Sequence, residues 1–167
     1  MTIKKIRLFL ASNIEKEEKW LTDMSSKGFH FQKYYFGVYN FNQNPEEEYI
    51  YQIDFNEASQ EYFSFYKEAG WKHVDSSMGR FHYFKKRADQ PGVKKLYTDL
   101  ESMKESVQRM LQFYLMMFLL LICSQAGLFL TWHGHPVQKA VAALAAFGVV
   151  LYLCLFVSLK KKLQFYK

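Results

Sequence analysis

Five histidines, two cysteines and a run of carboxylates are the side chains whose types could do chemistry in this 167-residue chain. His30, His73 and His82 could act as general bases, a role that needs a nucleophile held within hydrogen-bond reach. Neither a nearby cysteine nor a serine in a nucleophile elbow accompanies them, so a catalytic triad has no starting point. His133-x-His135 has the form of a metal pair, yet no third ligand lies nearby and a turn fixes two ligands poorly. Glu46-Glu47-Glu48 reads as a solvated loop, and the glycines stand singly at turns rather than in a phosphate loop. Cys123 and Cys154 fall inside apolar runs, where thiols behave as inert small hydrophobes. The expectation is a chain with no catalytic residues, no metal and no cofactor.

Charge points elsewhere. All 16 acidic residues lie at or before Glu105 and are balanced there by Lys and Arg. The formal excess of +6 comes from Arg109, Lys139, Lys160, Lys161, Lys162 and Lys167. A basic groove for nucleic acid needs cations clustered on the folded domain, but here the excess flanks apolar segments. It predicts membrane orientation and no nucleic-acid partner.

Met110 to Trp132 and Ala140 to Leu159 carry no charge, and each reaches about 30 Å as a helix, the thickness of a bilayer core. Residues 133–139 between them hold Trp132's neighbours His133, Gly134, His135 and Pro136, a tight connection with a helix breaker. Lys94, Lys95, Lys104 and Arg109 precede the first span and Lys160-Lys161-Lys162 follow the second, against Lys139 alone in the loop. By the positive-inside rule both termini are expected in the cytoplasm of a multi-pass cell-membrane protein. Ala142, Ala143, Ala145, Ala146 and Gly148 allow close helix packing on the first span or a partner. Gln125 predicts an interhelical polar contact. The basic start from Lys4 to Arg7 is followed by too short an apolar run for a signal peptide.

The first 88 residues read as an α+β domain. Ile3 to Ala11 predicts a strand, and Ser12 with Glu15 a capping box opening a helix that runs to Lys27. Gly28 stops it, and Phe29 to Phe36 and Val38 to Asn42 are aromatic strands about Gly37. The pattern then restarts. Tyr49 to Phe55 is a strand, Asn56 a cap, Glu57 to Ala69 a helix, Trp71 to Val74 a strand, and Arg80 to Lys85 another. At an offset of 42 residues Gly28 falls on Gly70, Gly37 on Gly79, Phe29 on Trp71, Trp20 on Tyr62 and Met24 on Tyr66. Two β-α-β-β repeats are expected to form a mostly antiparallel sheet with both helices on one face. Residues 89–109 then give a linker and amphipathic helix, and 160–167 a basic tail.

Two surfaces follow from these patterns. If the helices cover one face, Tyr34, Phe36, Ile50 and Phe84 lie on the other, as a candidate face for a partner or ligand. Val93, Leu96, Leu100, Met103 and Val107 alternate in steps of three and four, a short heptad stripe that predicts self-association, or else packing on the chain's own sheet.

Glu18-x-Trp20-Leu21-x-x-Met24-x-x-Lys27-Gly28-Phe29, Tyr49-x-Tyr51-x-x-Asp54-Phe55, Tyr66-Lys67-Glu68-Ala69-Gly70-Trp71 and Tyr83-Phe84-Lys85-Lys86 resemble the bacterial domain-of-unknown-function family 2812 over about residues 1–90. The resemblance implies C-terminal membrane spans and a genetic setting beside regulators of the PadR class. It implies no activity and no site residues. Together these readings predict a membrane-anchored, non-enzymatic interaction module with a protein partner or a second copy, in a regulatory, accessory, envelope or transport role. The alternative is a membrane sensor that binds a small molecule in an aromatic pocket.

Overall fold

The computed structural model describes residues 2–91, 95–96 and 100–165. Two units make up the chain, Met1–Ser102 and Met103–Lys167. In the first, β1 (Thr2–Ile6), α1 (Ile14–Ser25), β2 (Phe29–Tyr35) and β3 (Val38–Gln43) are followed by β4 (Tyr49–Phe55), α2 (Gln60–Glu68), β5 (Lys72–Ser77) and β6 (Phe81–Arg87). The strands form two three-stranded antiparallel sheets rather than one: sheet A in the order β1-β3-β2 and sheet B in the order β4-β6-β5.

Three pairs of positions 42 residues apart share a left-handed backbone conformation. Gly28 and Gly70 end the two helices in the left-handed region at φ 79° and 83°, where the absence of a Cβ makes that conformation inexpensive. The pairs Phe36-Gly37 and Met78-Gly79 turn their hairpins with positive φ throughout, the twist that two left-handed residues impose on paired strands. Each sheet also carries a register shift at the matching place, between Phe31 and Lys33 and between His73 and Asp75. At those bulges β2 and β5 lie side by side, and the Tyr34 amide donates to Asp75 Oδ2 at 2.7 Å.

The main core lies between the inner faces of the two sheets and α1. Phe31, Tyr39 and Phe41 come from sheet A, Tyr51, Ile53 and Tyr83 from sheet B, and Leu21 and Met24 from α1. Helix α1 also does work that the sequence concealed. Its Glu18, Thr22 and Ser25 accept the backbone amides of Ile53, Tyr51 and Tyr49 at 2.8, 3.0 and 2.8 Å. Alternate strand amides are about 6.6 Å apart, while steps of four and three residues climb about 6 and 4.5 Å along a helix. The two spacings are close enough for one helix face to satisfy three donors on the free edge of β4, the kind of edge that otherwise invites pairing.

Helix α2 lies on the other side of sheet B. Tyr66 and Trp71 bury against Phe84, with Ile50, Tyr62, Phe63 and Leu96 packed around them. The two helices therefore cover opposite faces of that sheet, and the expectation of helices on one face is corrected. The reason is that β6 is apolar on both faces: Tyr83 serves the main core and Phe84 the α2 cluster.

Boundaries differ in two instructive places. β1 ends at Ile6, and a 3-10 turn, Ala11–Asn13, precedes α1; Ser12 Oγ is buried and caps nothing, so the capping box is not formed. Helix α2 begins after Ser59, whose hydroxyl accepts the Tyr62 amide at 3.1 Å, in place of Asn56.

The second unit holds α3 (Leu100–Leu130) from Met103 onward and all of α4 (Pro136–Phe165). Both are long and apolar enough to cross a membrane, and their most apolar stretches are almost wholly uncovered by the rest of the chain. They meet through rings: Phe118 lies 5.7 Å from Tyr152 and 5.8 Å from Phe156, centroid to centroid. A Cβ on Gly148 would stand 3.6 Å from Leu121, so the small residue allows close approach here. Gln138 Oε1 accepts the amides of His133 and His135 and closes the connection.

Candidate functional site

Among the described residues, buried polar groups gather in three main places, two of them built around a carboxylate. In the main core Glu17 is buried, and Tyr39 Oη and Tyr83 Oη both donate to its Oε1, at 2.7 and 2.8 Å. Burial raises the Glu17 carboxyl above its ordinary range, and the two tyrosine hydrogen bonds oppose that rise. The same carboxyl, after burial itself, holds the Tyr39 and Tyr83 hydroxyls well above their usual range. Neutral hydroxyls donating to one shared acid make a clamp that joins α1, β3 and β6.

The second place lies under α2. Asp54 is buried, and Tyr62 Oη and Tyr66 Oη donate to its Oδ2 at 2.7 and 3.1 Å. Beside it His82 is held between Ser76 Oγ at 2.8 Å from Nδ1 and the Asn56 carbonyl at 3.2 Å from Nε2. Ser76 is also 2.9 Å from His73 Nε2. Burial lowers both histidines below their ordinary range. With Nε2–H donating to the carbonyl, Nδ1 of neutral His82 accepts from Ser76, so the chain His73–Ser76–His82 ties β5 to β6 across the bulge.

His30 makes the corresponding kind of tie elsewhere, with Ser25 Oγ at 2.9 Å and the Asn44 carbonyl at 2.6 Å. The sequence singled out these histidines but missed their serine partners, because Ser25 and Ser76 carry no pattern of their own. His133 and His135 stack at 6.2 Å, and among the described residues no group of three or more His, Cys, Asp or Glu stands ready to hold a metal ion.

The residues proposed from sequence as an open face are dispersed by the fold. Phe84 is fully buried and Ile50 packs beside it, both under α2. Tyr34 packs on the main core, its ring 4.9 Å from Tyr39. Phe36 alone of the four stands in solvent, 85% exposed. Helix α2 closes the face of sheet B that holds Ile50 and Phe84, while Tyr34 and Phe36 belong to sheet A. The self-association stripe is likewise divided. Val93 lies outside the described residues, Leu96 packs in the α2 cluster, Leu100 is exposed, Met103 is half-buried, and Val107 is buried.

Among the described residues of the first unit, the outer face of sheet A has no helix packed on it. Paired strand residues point to the same side, so Lys4, Asn40 and Lys33 form one row across it, and Ile6, Val38 and Tyr35 the next. Beyond them Arg7 N donates to the Gly37 carbonyl at 2.8 Å, and Leu8 lies where a Cβ on Gly37 would be. Tyr35 and Phe36 rings touch at 5.1 Å. Ile6 and Leu8 are each 82% exposed and Tyr35 67%. The result is an apolar tip backed by cations.

The family described as "Protein of unknown function (DUF2812)" matches residues 13–119, from the start of α1 through all of sheet B and into α3. No curated protein and no solved structure matches the chain.

Proposed function

The chain belongs to the DUF2812 family, and within it we propose a membrane-anchored, non-enzymatic module that acts by contact. The observation that carries this reading is the uncovered apolar length of α3 and α4, joined to a domain that has its own core. Helices of 31 and 30 residues exceed the roughly 20 that a bilayer core requires. An apolar helix left uncovered in water has no stable soluble packing, whereas lipid satisfies it without further protein. The cations on either side of the hairpin favour a domain and C-terminal tail in the cytoplasm and an outward loop near 133–139.

The contact role is supported by where the reactive side chains are used. Asp54, Glu17, His30 and His82 are each held by hydrogen bonds that fix strands or helices to one another. The 42-residue correspondence is read as two β-α-β-β units, a scaffold that regulates or assists another protein in an envelope or transport setting. The partner is a protein in or beside the same membrane, or a second copy joined through the exposed start of α3.

Purification from native membranes in mild detergent tests this. The expected result is one stoichiometric protein partner, or a dimer that Leu100→Cys crosslinks and Glu101→Cys does not, in a background lacking Cys123 and Cys154. A monomer free of protein but carrying a small molecule would contradict it and favour a sensor.

A further inference from the structure

We propose that the outer face of sheet A is a second membrane contact, which lays the domain against the anionic lipid surface to which α3 and α4 tether it. The proposal rests on the reading that these two helices enter the bilayer. Its own grounds are separate. The face is graded along the strands: Leu8 and Phe36 at the tip, Ile6 and Tyr35 behind them, and Lys4 and Lys33 behind those. From Leu8 to Lys4 is about 13 Å of extended chain, and lysine stems reach forward from there while their charged ends stay wet. Interfacial elements bury apolar side chains about 5–10 Å into the headgroup boundary and place cations at the phosphates. The two gradations agree.

Charge selects lipid over a second copy of this chain. Residues 2–14 and 29–45, which supply all of sheet A, contain no acidic side chain. The outer face carries Lys4 and Lys33, while Lys5 pairs with core-facing Tyr39 and Arg7 lies over the Phe9 and Trp20 rings. A second copy docking face to face would oppose like charges. A cytoplasmic leaflet, by contrast, is negative and attracts each cation near it.

The tip also carries backbone strain in an unusual place. Phe36 is a bulky residue at φ 43°, where glycine or asparagine is the ordinary choice for such a turn. An exposed aromatic held there is costly for folding, and inserted in lipid it is useful. The equivalent position in sheet B is Met78, at φ 54° and 64% exposed. It is followed by Gly79 and Arg80 and preceded by Asp75, Ser76 and Ser77, so it has no apolar row behind it.

That pair gives the test its internal control. The full chain, with Cys123 and Cys154 replaced by serine, receives one environment-sensitive fluorophore at Phe36→Cys, Met78→Cys or Leu151→Cys. Each is placed in bilayer discs of phosphatidylcholine, with or without phosphatidylserine, containing brominated acyl chains. The expected result is quenching at position 36 that requires phosphatidylserine and is reversed by high salt, with position 78 unquenched. Lys4→Glu with Lys33→Glu should abolish quenching at 36 and leave 151 unaltered. Position 36 unquenched in every lipid, or 36 and 78 quenched alike, overturns the proposal. A label at 36 that is shielded only as protein density rises, without quenching, assigns the face to a second copy and also overturns it. Quenching at 151 reports the tether separately: if 151 is quenched and 36 is not, the tether stands and the second contact falls. If 36 is quenched and 151 is not, the surface contact stands and the spanning reading falls.

Discussion

Sheets A and B have the same strand order, left-handed residues at matching turns, and bulges at matching places, yet they end in different environments. Sheet B is enclosed: α2 covers its outer face, and α1 lays Glu18, Thr22 and Ser25 along its β4 edge. Sheet A shares its inner face with the common core but keeps its outer face open. Among the described residues no side chain is hydrogen-bonded to the amides of β1, the strand that holds in sheet A the edge place that β4 holds in sheet B. One architecture thus yields a sealed half that holds the domain together and an open half that is free to meet something. The difference comes from where the helices go. Helix α1 packs on the inner face of its own sheet through Trp20 and Leu21 and also caps the β4 edge of the other, whereas α2 packs on sheet B.

The largest effect that would break this comparison is in the outer-face aromatics. Phe84→Ala should cost about 3–5 kcal/mol, the range for a fully buried aromatic, whereas Phe36→Ala should lie within about 0.5 kcal/mol of wild type. Urea unfolding of the full chain in mild detergent, followed by tryptophan emission with Trp132→Phe to silence the connection, measures both. Similar costs at the two positions would mean that the faces are not differently covered.

A smaller effect concerns the edges. Removing the charged acceptor in Glu18→Ala should cost about 1.5–3 kcal/mol, with faster hydrogen exchange at the Ile53 amide. Thr22→Val, which keeps the shape and loses one neutral acceptor, should cost about 1 kcal/mol and speed exchange at Tyr51. The amides of β1 should exchange at the same rate in all three proteins. Unchanged protection at Tyr51 and Ile53 would remove α1 as the cap of that edge.

The smallest effect is a divergence with pH. Burial places folded Glu17 above its ordinary 4.5, so its contribution is complete below that value and is lost as pH rises through the folded one. His82, held below its ordinary 6.5 by burial, contributes fully above 6.5, and that part is lost as pH falls through its lower folded value. Glu17→Gln should therefore gain on wild type as pH rises from 4.5, and His82→Gln should gain as pH falls from 6.5. Unfolding midpoints that run parallel to wild type in either variant would contradict the assignment for that residue.

How much of this was legible in the sequence follows from what each device looks like in one dimension. The turns at Gly28, Gly37, Gly70 and Gly79 were readable because left-handed backbone has a residue signature. The apolar helices were readable because length and lack of charge suffice. The cap on β4 was not. Glu18, Thr22 and Ser25 are polar residues on a helix, and in sequence they resemble a solvated face. Strand alternation showed that Tyr83 and Phe84 point opposite ways, but not that both sides would find cover, because cover is set by which sheet a helix joins. Phe36 was picked out as exposed for the wrong reason. It lies on an open surface, but at the tip of sheet A and apart from Ile50 and Phe84.

The proposed contact role requires the domain to lie on the cytoplasmic side of the membrane. Single cysteines at Ser26 and His135, in a chain lacking Cys123 and Cys154, can be tested with an impermeant maleimide on intact cells. Both residues are exposed in the fold, so neither is hidden by packing. The prediction is labelling at position 135 and none at 26 until the cells are opened. Labelling at 26 with none at 135 would contradict it.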